Sequence, residues 1–260
     1  MANIKDLLDS QPLPKSILQD IGKLAEKNNK QVYVVGGVVR DLFLGRKLKE
    51  IDLMVIGDGI EFAKQIANSM GIKKIVPFSK FSTAHIPTKP IPIEVAAARQ
   101  ETYNEDSRKP NEIIYTDLHG DLIRRDFTIN AMAMSITPND FGDLHDPYNG
   151  VKDLMEKHLV TPLDPDQTFS EDPLRMMRAA YFASGLDLEI DDKCLKSMKR
   201  QSKRISIVSK ERITSEFCKI LATKKTINWI NNLTRNWIDG VYFPRDSCYV
   251  WYGSDWRMAS

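Results

Sequence analysis

Cysteine is scarce in this 260-residue chain, long apolar runs are missing, and neither sign of charge prevails. The three cysteines (Cys194, Cys218, Cys248) are odd in number and far apart. They fit neither a disulfide framework nor a zinc ligand set, which points to a reducing compartment. The four histidines (His85, His119, His145, His158) show no ligand spacing and read as structural or surface residues. The longest apolar stretch, Val32–Val39, is eight residues long and includes two glycines. A membrane helix needs roughly 20, so no membrane partner is expected. The opening residues carry Lys5, Asp6 and Asp9 and lack the apolar core of a signal peptide, which makes the cytoplasm the expected location. Lysine and arginine total 37 against 35 acids, so the formal charge of +2 names no partner.

Composition becomes informative once it is resolved along the chain. Lys193 to Lys225 holds eleven basic residues against Glu211 and Glu216, a local charge of +9 that leaves −7 for the remainder. Such a concentration is the footprint of a polyanion partner, or else a solvated helix face. All four tryptophans (Trp229, Trp237, Trp251, Trp256) fall in the last 35 residues, among Tyr242, Phe243, Tyr249 and Tyr252. That segment reads as aromatic packing, as a base-stacking surface, or as sequence foreign to the rest.

Periodicity predicts a helix over Ser16–Lys27, a strand over Gln31–Val35, a short helix over Val38–Leu44 and a strand over Ile51–Ile56. Asp58 can cap a helix ending near Gly71. Ile91–Ala98 reads as a strand and Asp126–Met134 as a helix. Strands interleaved with helices to about residue 148 indicate an α/β or α+β domain. Beyond it the pattern is helical. One helix opens at Asp172-Pro173, faces Leu174, Met177 and Tyr181 inward and ends at Gly185. A later one carries Ile213, Phe217, Ile220 and Leu221. Asp172, Arg175 and Arg178 then lie away from the first helix's apolar face.

The chemistry concentrates in Val34–Asp52, VVGGVVRDLFLGRKLKEID. A strand ends in Gly36-Gly37, where backbone N–H groups can approach a phosphate with no Cβ between. Arg40 follows, placed to pair with a phosphate oxygen. Glu50 and Asp52 alternate along one strand and share a face. Neighbouring carboxylates repel unless a cation lies between them, and a hard divalent ion is the usual answer. Together these features make phosphoryl or nucleotidyl transfer the leading chemistry. Glu94 is a candidate third carboxylate, or an edge-strand surface charge.

From here the chain resembles the class II tRNA nucleotidyltransferase (CCA-adding enzyme) and bacterial poly(A) polymerase family of the polymerase-β-like superfamily. The likeness runs from about Gln31 to Leu221 through five ordered motifs. These are GGVVRDLFLGR…EID, RRDFTINAM from Arg124, Asp146–Gly150, Glu171-Asp172-Pro173-Leu174-Arg175 continuing to Arg178, and Ser209–Arg212. It implies an α+β fold, a five-stranded mixed-sheet head followed by an all-α neck. The expected domains are a catalytic head over 1–148, a neck over 149–225 for nucleobase recognition and RNA binding, and an atypical Trp-rich segment over 226–260. It implies that Glu50 and Asp52 are catalytic and hold two Mg²⁺ ions, and that Gly36, Gly37 and Arg40 meet the triphosphate. Arg124, Arg125, Asp126 and Asn130 would orient sugar and triphosphate. Asp172 and Arg175, with Arg178 nearby, would read the incoming base. Lys199, Arg200, Lys203 and Arg204 would bind RNA. The partners implied are the tRNA 3′ end, CTP and ATP, with no protein partner.

The chain departs from the family pattern in three places. Glu50 stands where the family has aspartate, one methylene longer against a metal that demands near-octahedral geometry. Tyr181 stands where the family usually has a further arginine, and the likeness fades after about Lys225, as in a shortened or C-terminally altered member. Addition of CMP and AMP in CCA order is the expected activity. Poly(A) synthesis, C-only or A-only addition, and an impaired RNA-binding relative are the alternatives.

Overall fold

A computed structural model of the chain describes residues 2–104, 107–223, 249–252 and 255–258. Lys225, Trp229, Trp237, Tyr242, Phe243 and Cys248, singled out above, lie outside the described residues. The chain divides into two compact units, one built from Met1–Tyr103 and Lys109–Leu163, the other from Asn104–Arg108 and Asp164–Ser260.

The first unit begins with α1 (Pro12–Lys27), whose proline at the first turn needs no N–H there. Strand β1 (Val32–Val35) turns through Gly36 into α2 (Gly37–Phe43), and β2 (Ile51–Val55) follows. Asp58 caps α3 (Gly59–Ser69), accepting from the N–H groups of Ile60 and Glu61 as its position in sequence predicts. Next come β3 (Val76–Phe78), β4 (Thr83–Ile86), β5 (Ile93–Ala97), β6 (Arg99–Asn104), β7 (Ser107–Tyr115) and α4 (Leu118–Ile123), the last residue of β6 and the first two of β7 being counted with the second unit. The unit continues with β8 (Ala133–Ser135), β9 (Leu144–His145), α5 (Gly150–Met155) and β10 (His158–Leu159).

Seven strands form the main sheet in the order β3-β4-β5-β2-β1-β8-β9. It is mixed, with β2 and β5 parallel and β1 antiparallel to both β2 and β8. The short edge strands β3 and β9 take it beyond the expected five. One face carries α1 and α3 on a core that includes Leu18, Ile21, Phe62, Ile66, Val34, Ile51, Leu53 and Val55. Tyr33, Val35, Met54, Leu122 and Ala133 cluster on the opposite face. Side chains alternate along a strand, so Asp52, two residues before Met54, belongs to that second face.

The helix expected over Asp126–Met134 is corrected. A single 3-10 turn, Thr128–Asn130, leads into β8. Asp126 accepts from the Phe127 N–H and from Asn130 Nδ2, so a side chain competes locally with helical bonding. Ile129 and Ala131 to Met134 are fully buried, as on a central strand with no solvent face.

The second unit holds α6 (Pro165–Glu171), which periodicity misses, then α7 (Leu174–Leu186), β11 (Glu189–Ile190), α8 (Asp192–Gln201) and α9 (Lys210–Leu221). Helix α7 packs on α9. Among the buried residues are Met176, Met177, Ala180 and Ala183 of α7 and Ile213, Phe217 and Ile220 of α9. Near the end, within the Trp-rich segment whose nature the sequence left open, β12 (Tyr249–Tyr252) and β13 (Asp255–Met258) pair antiparallel.

A Cβ placed on Gly22 would lie 1.8 Å from the Ile136 carbonyl oxygen, where backbone meets backbone. Gly22→Ala is therefore expected to destabilise the first unit by about 1–3 kcal/mol, as read by urea unfolding.

Candidate functional site

Gly36 makes the turn between β1 and α2 with φ of +66°, in a region that L side chains avoid. A side chain there is excluded twice, because a Cβ would lie 2.7 Å from Nη1 of Arg125. The Gly36 N–H donates to the Met132 carbonyl, which ties the turn to the strand side of Asn130. Gly37 opens α2, which has no side-chain cap. Arg40, one turn on, is fixed from two sides. Its Nη1 donates to Asn130 Oδ1 at 2.6 Å, and its Nη2 pairs with Asp41 at 2.9 Å. Asn130 in turn donates to Asp126 at 3.0 Å. The predicted residues Gly36, Gly37, Arg40, Arg125, Asp126 and Asn130 thus form one connected cluster.

Asp52 lies on β2, and Glu50 is the residue immediately before that strand. Glu94 pairs with Asp52 in register across the parallel β2–β5 ladder. Since β5 lies between β4 and β2, Glu94 is not an edge-strand residue. Burial raises the Asp52 carboxyl, the Glu50 and Glu94 carboxylates raise it further, and Arg125 and Arg40 offset only part of this, giving about 7. A divalent cation would relieve that repulsion, and an all-oxygen donor set suits Mg²⁺. Among the described residues no group of three or more His, Cys, Asp or Glu is arranged to hold a metal ion. Two carboxylates fit a hard divalent cation that takes its remaining oxygen donors from outside the protein.

Sequence reasoning missed Asp121. It lies in α4, is 1% exposed, and separates two guanidiniums. Oδ1 accepts from Arg124 Nη2 at 2.5 Å, and Oδ2 from Arg125 Nη2 at 2.8 Å and Nε at 3.2 Å. Arg124 Nε also donates to the Arg99 carbonyl at 2.6 Å. The signal was present as Asp-Leu-Ile-Arg-Arg, an acid three and four residues before two bases.

In the second unit, Asp172 Oδ1 accepts the Leu174 N–H, but α7 starts at Leu174 and its N-cap is Pro173, one residue later than the sequence pattern places it. Arg175, expected on an outward face, is buried instead, donating to Glu171 at 3.2 Å and to the Thr168 carbonyl at 3.3 Å. Tyr181, expected inward, is only half-buried. Arg178 stacks over the Phe182 ring at 5.1 Å. Arg200 pairs with Asp166 at 2.6 Å, and Arg204 donates to the Ser170 carbonyl at 3.0 Å. Lys199 and Lys203 are exposed.

A mixed sheet carrying paired carboxylates beside a glycine turn and fixed arginines defines a polymerase-β-like nucleotidyltransferase head. Residues 32–160 match the family model described as the poly A polymerase head domain. Residues 187–238 match one described as a probable RNA and SrmB-binding site of polymerase A. The A-adding tRNA nucleotidyltransferase of Aquifex aeolicus is 41% identical over 170 residues, 65% of this chain and 20% of that protein. A CCA-adding enzyme in its apo form II superposes with a TM-score of 0.80 at 33% identity, over 90% of this chain and 55% of that one. The Thermotoga maritima CCA-adding enzyme complexed with tRNA gives 0.78 at 31%, over 90% and 54% respectively. The chain belongs to the tRNA nucleotidyltransferase and poly(A) polymerase family. It spans no more than about half the length of these relatives.

Asp121 gives a pH prediction. Burial alone would raise its carboxyl, but the charges and hydrogen bonds of Arg125 and Arg124 outweigh burial and hold it at about 2, against an ordinary 3.8. A depressed acid stabilises the fold above its unfolded pKa and loses that contribution as pH falls through the folded value. The stability gap between the native chain and Asp121→Asn is expected to narrow by about 2 kcal/mol from pH 6 to pH 2, measured by urea unfolding at each pH.

Proposed function

We propose that this chain transfers CMP and AMP from CTP and ATP, without a template, to the 3′ end of tRNA. The observation that carries this reading is the grouping of Asp52, Glu50 and Glu94 with Arg40 and Arg125 around the Gly36 turn. Arg40 and Arg125 supply positive charge for the triphosphate, and Gly36 keeps the approach open. Asp52 and Glu50 would hold Mg²⁺. When bound, the metal neutralises phosphate charge and acidifies the attacking 3′-hydroxyl. Arg124, Asp126 and Asn130 orient sugar and phosphates. On the second unit, Asp172 and Arg175, with Arg178 nearby, would read the Watson–Crick edge, Arg175 exchanging its Glu171 and Thr168 partners for the base. The head would end near residue 148 and the neck near 225, with Lys199, Arg200, Lys203 and Arg204 on the RNA side.

Among the described residues no helix is long and apolar enough to cross a membrane, and Cys194 and Cys218 are unbridged. A cytoplasmic location agrees with both. The A-adding name of the Aquifex relative favours one second reading, addition of the terminal A alone to a tRNA that already ends in CC.

A tRNA transcript lacking its 3′ CCA, incubated with Mg²⁺ and CTP plus ATP and resolved to single nucleotides, is expected to gain C, C and A. Extension only of a transcript ending in CC would establish the A-adding reading. Asp52→Asn is expected to lower incorporation on the order of 100-fold or more, and Glu50→Asp to raise it. Salt-sensitive RNA binding with no extension by either the native chain or Glu50→Asp would replace the enzyme reading with an RNA-binding one.

A further inference from the structure

The paired arginines Arg124 and Arg125 follow each other in sequence, and their like charges repel. Nothing in adjacent backbone positions makes two long side chains point one way. Each guanidinium instead receives one oxygen of the same buried carboxylate. Asp121 Oδ1 faces Arg124 and, at 3.4 Å, the backbone N–H of Arg99, while Oδ2 takes Arg125 through Nε and Nη2. The Arg125 Nη1 is thereby brought to the Gly36 turn and to the Asn130 carbonyl at 3.5 Å. Arg124 is braced a second time on the Arg99 carbonyl, at the start of β6.

We propose that Asp121 is a positioning residue for nucleotide binding, its carboxylate fixing the direction of Arg124 and Arg125 so that both meet the triphosphate. The inference rests on the proposed function, in which those arginines contact the nucleotide. The chemistry requires a carboxylate. An asparagine has one acceptor and one donor, so it can hold one guanidinium but presents N–H groups to the other. A glutamate retains both acceptors but displaces them by a methylene. Asp121 itself is too buried to reach a substrate, so its effect must travel through the arginines.

The experiment compares the native chain, Asp121→Asn, Asp121→Glu and Arg124→Ala/Arg125→Ala, each first checked for folding by thermal melting. KM and kcat for ATP and CTP are measured with a tRNA acceptor, and affinity is measured with inorganic triphosphate as the probe. Asp121→Asn is expected to raise KM and weaken triphosphate binding by roughly ten- to a hundredfold, with a smaller change in kcat. Asp121→Glu is expected to fall between the two. Added to the chain lacking both arginines, Asp121→Asn is expected to change affinity less than about twofold, because its route is already gone. A folded Asp121→Asn protein with native KM would overturn the proposal. If Asp121→Asn does not fold, a folded Asp121→Glu with native KM and affinity does the same. A full effect in the arginine-less background would also overturn it, showing a merely structural role. Native triphosphate affinity in Arg124→Ala/Arg125→Ala would instead remove the underlying reading of these arginines.

Discussion

Charge of both signs is crowded onto one face of a single sheet, and neither set would hold its place alone. Asp52, Glu50 and Glu94 act on one another strongly enough to raise the Asp52 carboxyl, and Arg125 and Arg40 offset only part of that effect. Those guanidiniums would in turn wander or repel without acceptors of their own, which Asp121, Asp41 and Asn130 provide. On the proposed function, a hard cation bound by these carboxylates would complete the balance. The sheet makes this possible because its opposite face is sealed by α1 and α3 in one large apolar cluster. That burial, at about 1.5–3 kcal/mol for each large side chain, supplies the stability against which an unrelieved charged cluster can persist.

The front of the fold was legible because its signals are local. A β-branched run ending in Gly36-Gly37, an aspartate before an apolar period at Asp58 and a proline in the first turn of α1 each dictate backbone geometry within a few residues. The failures lie where tertiary context decides. Thr128 to Ser135 is buried throughout, so it shows no face from which to read a period, and the Asp126 side chain breaks the helix that composition suggests. Helix α6 escaped because seven residues between Pro165 and Glu171 are too few for periodicity to establish.

The site divides along the same line. Gly36, Arg40, Glu50 and Asp52 were legible as a strand–turn–helix–strand sequence, and the structure does gather Gly36, Arg40 and Asp52 with Arg125. Asp121 carries no chemistry of its own, so a search for reactive residues passes over it. What it does appears only when the destinations of its two oxygens are known. Arg175 shows the opposite error. Helical spacing places it away from Leu174 and Met177, but the preceding helix covers it, and Glu171 with the Thr168 carbonyl replaces the water that an exposed arginine would keep.

The basic segment of the second unit gains a finer meaning from the same reasoning. Of its arginines, Arg200 pairs with Asp166 and Arg204 donates to the Ser170 carbonyl, while Arg212 is exposed. Lys193, Lys196, Lys199, Lys203 and Lys210 are exposed on and around α8. An arginine fork suits planar, bidentate recognition, whereas a lysine ammonium is a mobile point charge that any phosphate can satisfy. Contacts of that kind hold a nucleic-acid backbone in register without reading its bases. On the proposed function this division is the useful one. An acceptor end must be held while its sequence grows by a nucleotide at each step, so affinity from exposed lysines survives the change, and choice of base is left to the Asp172–Arg175 segment.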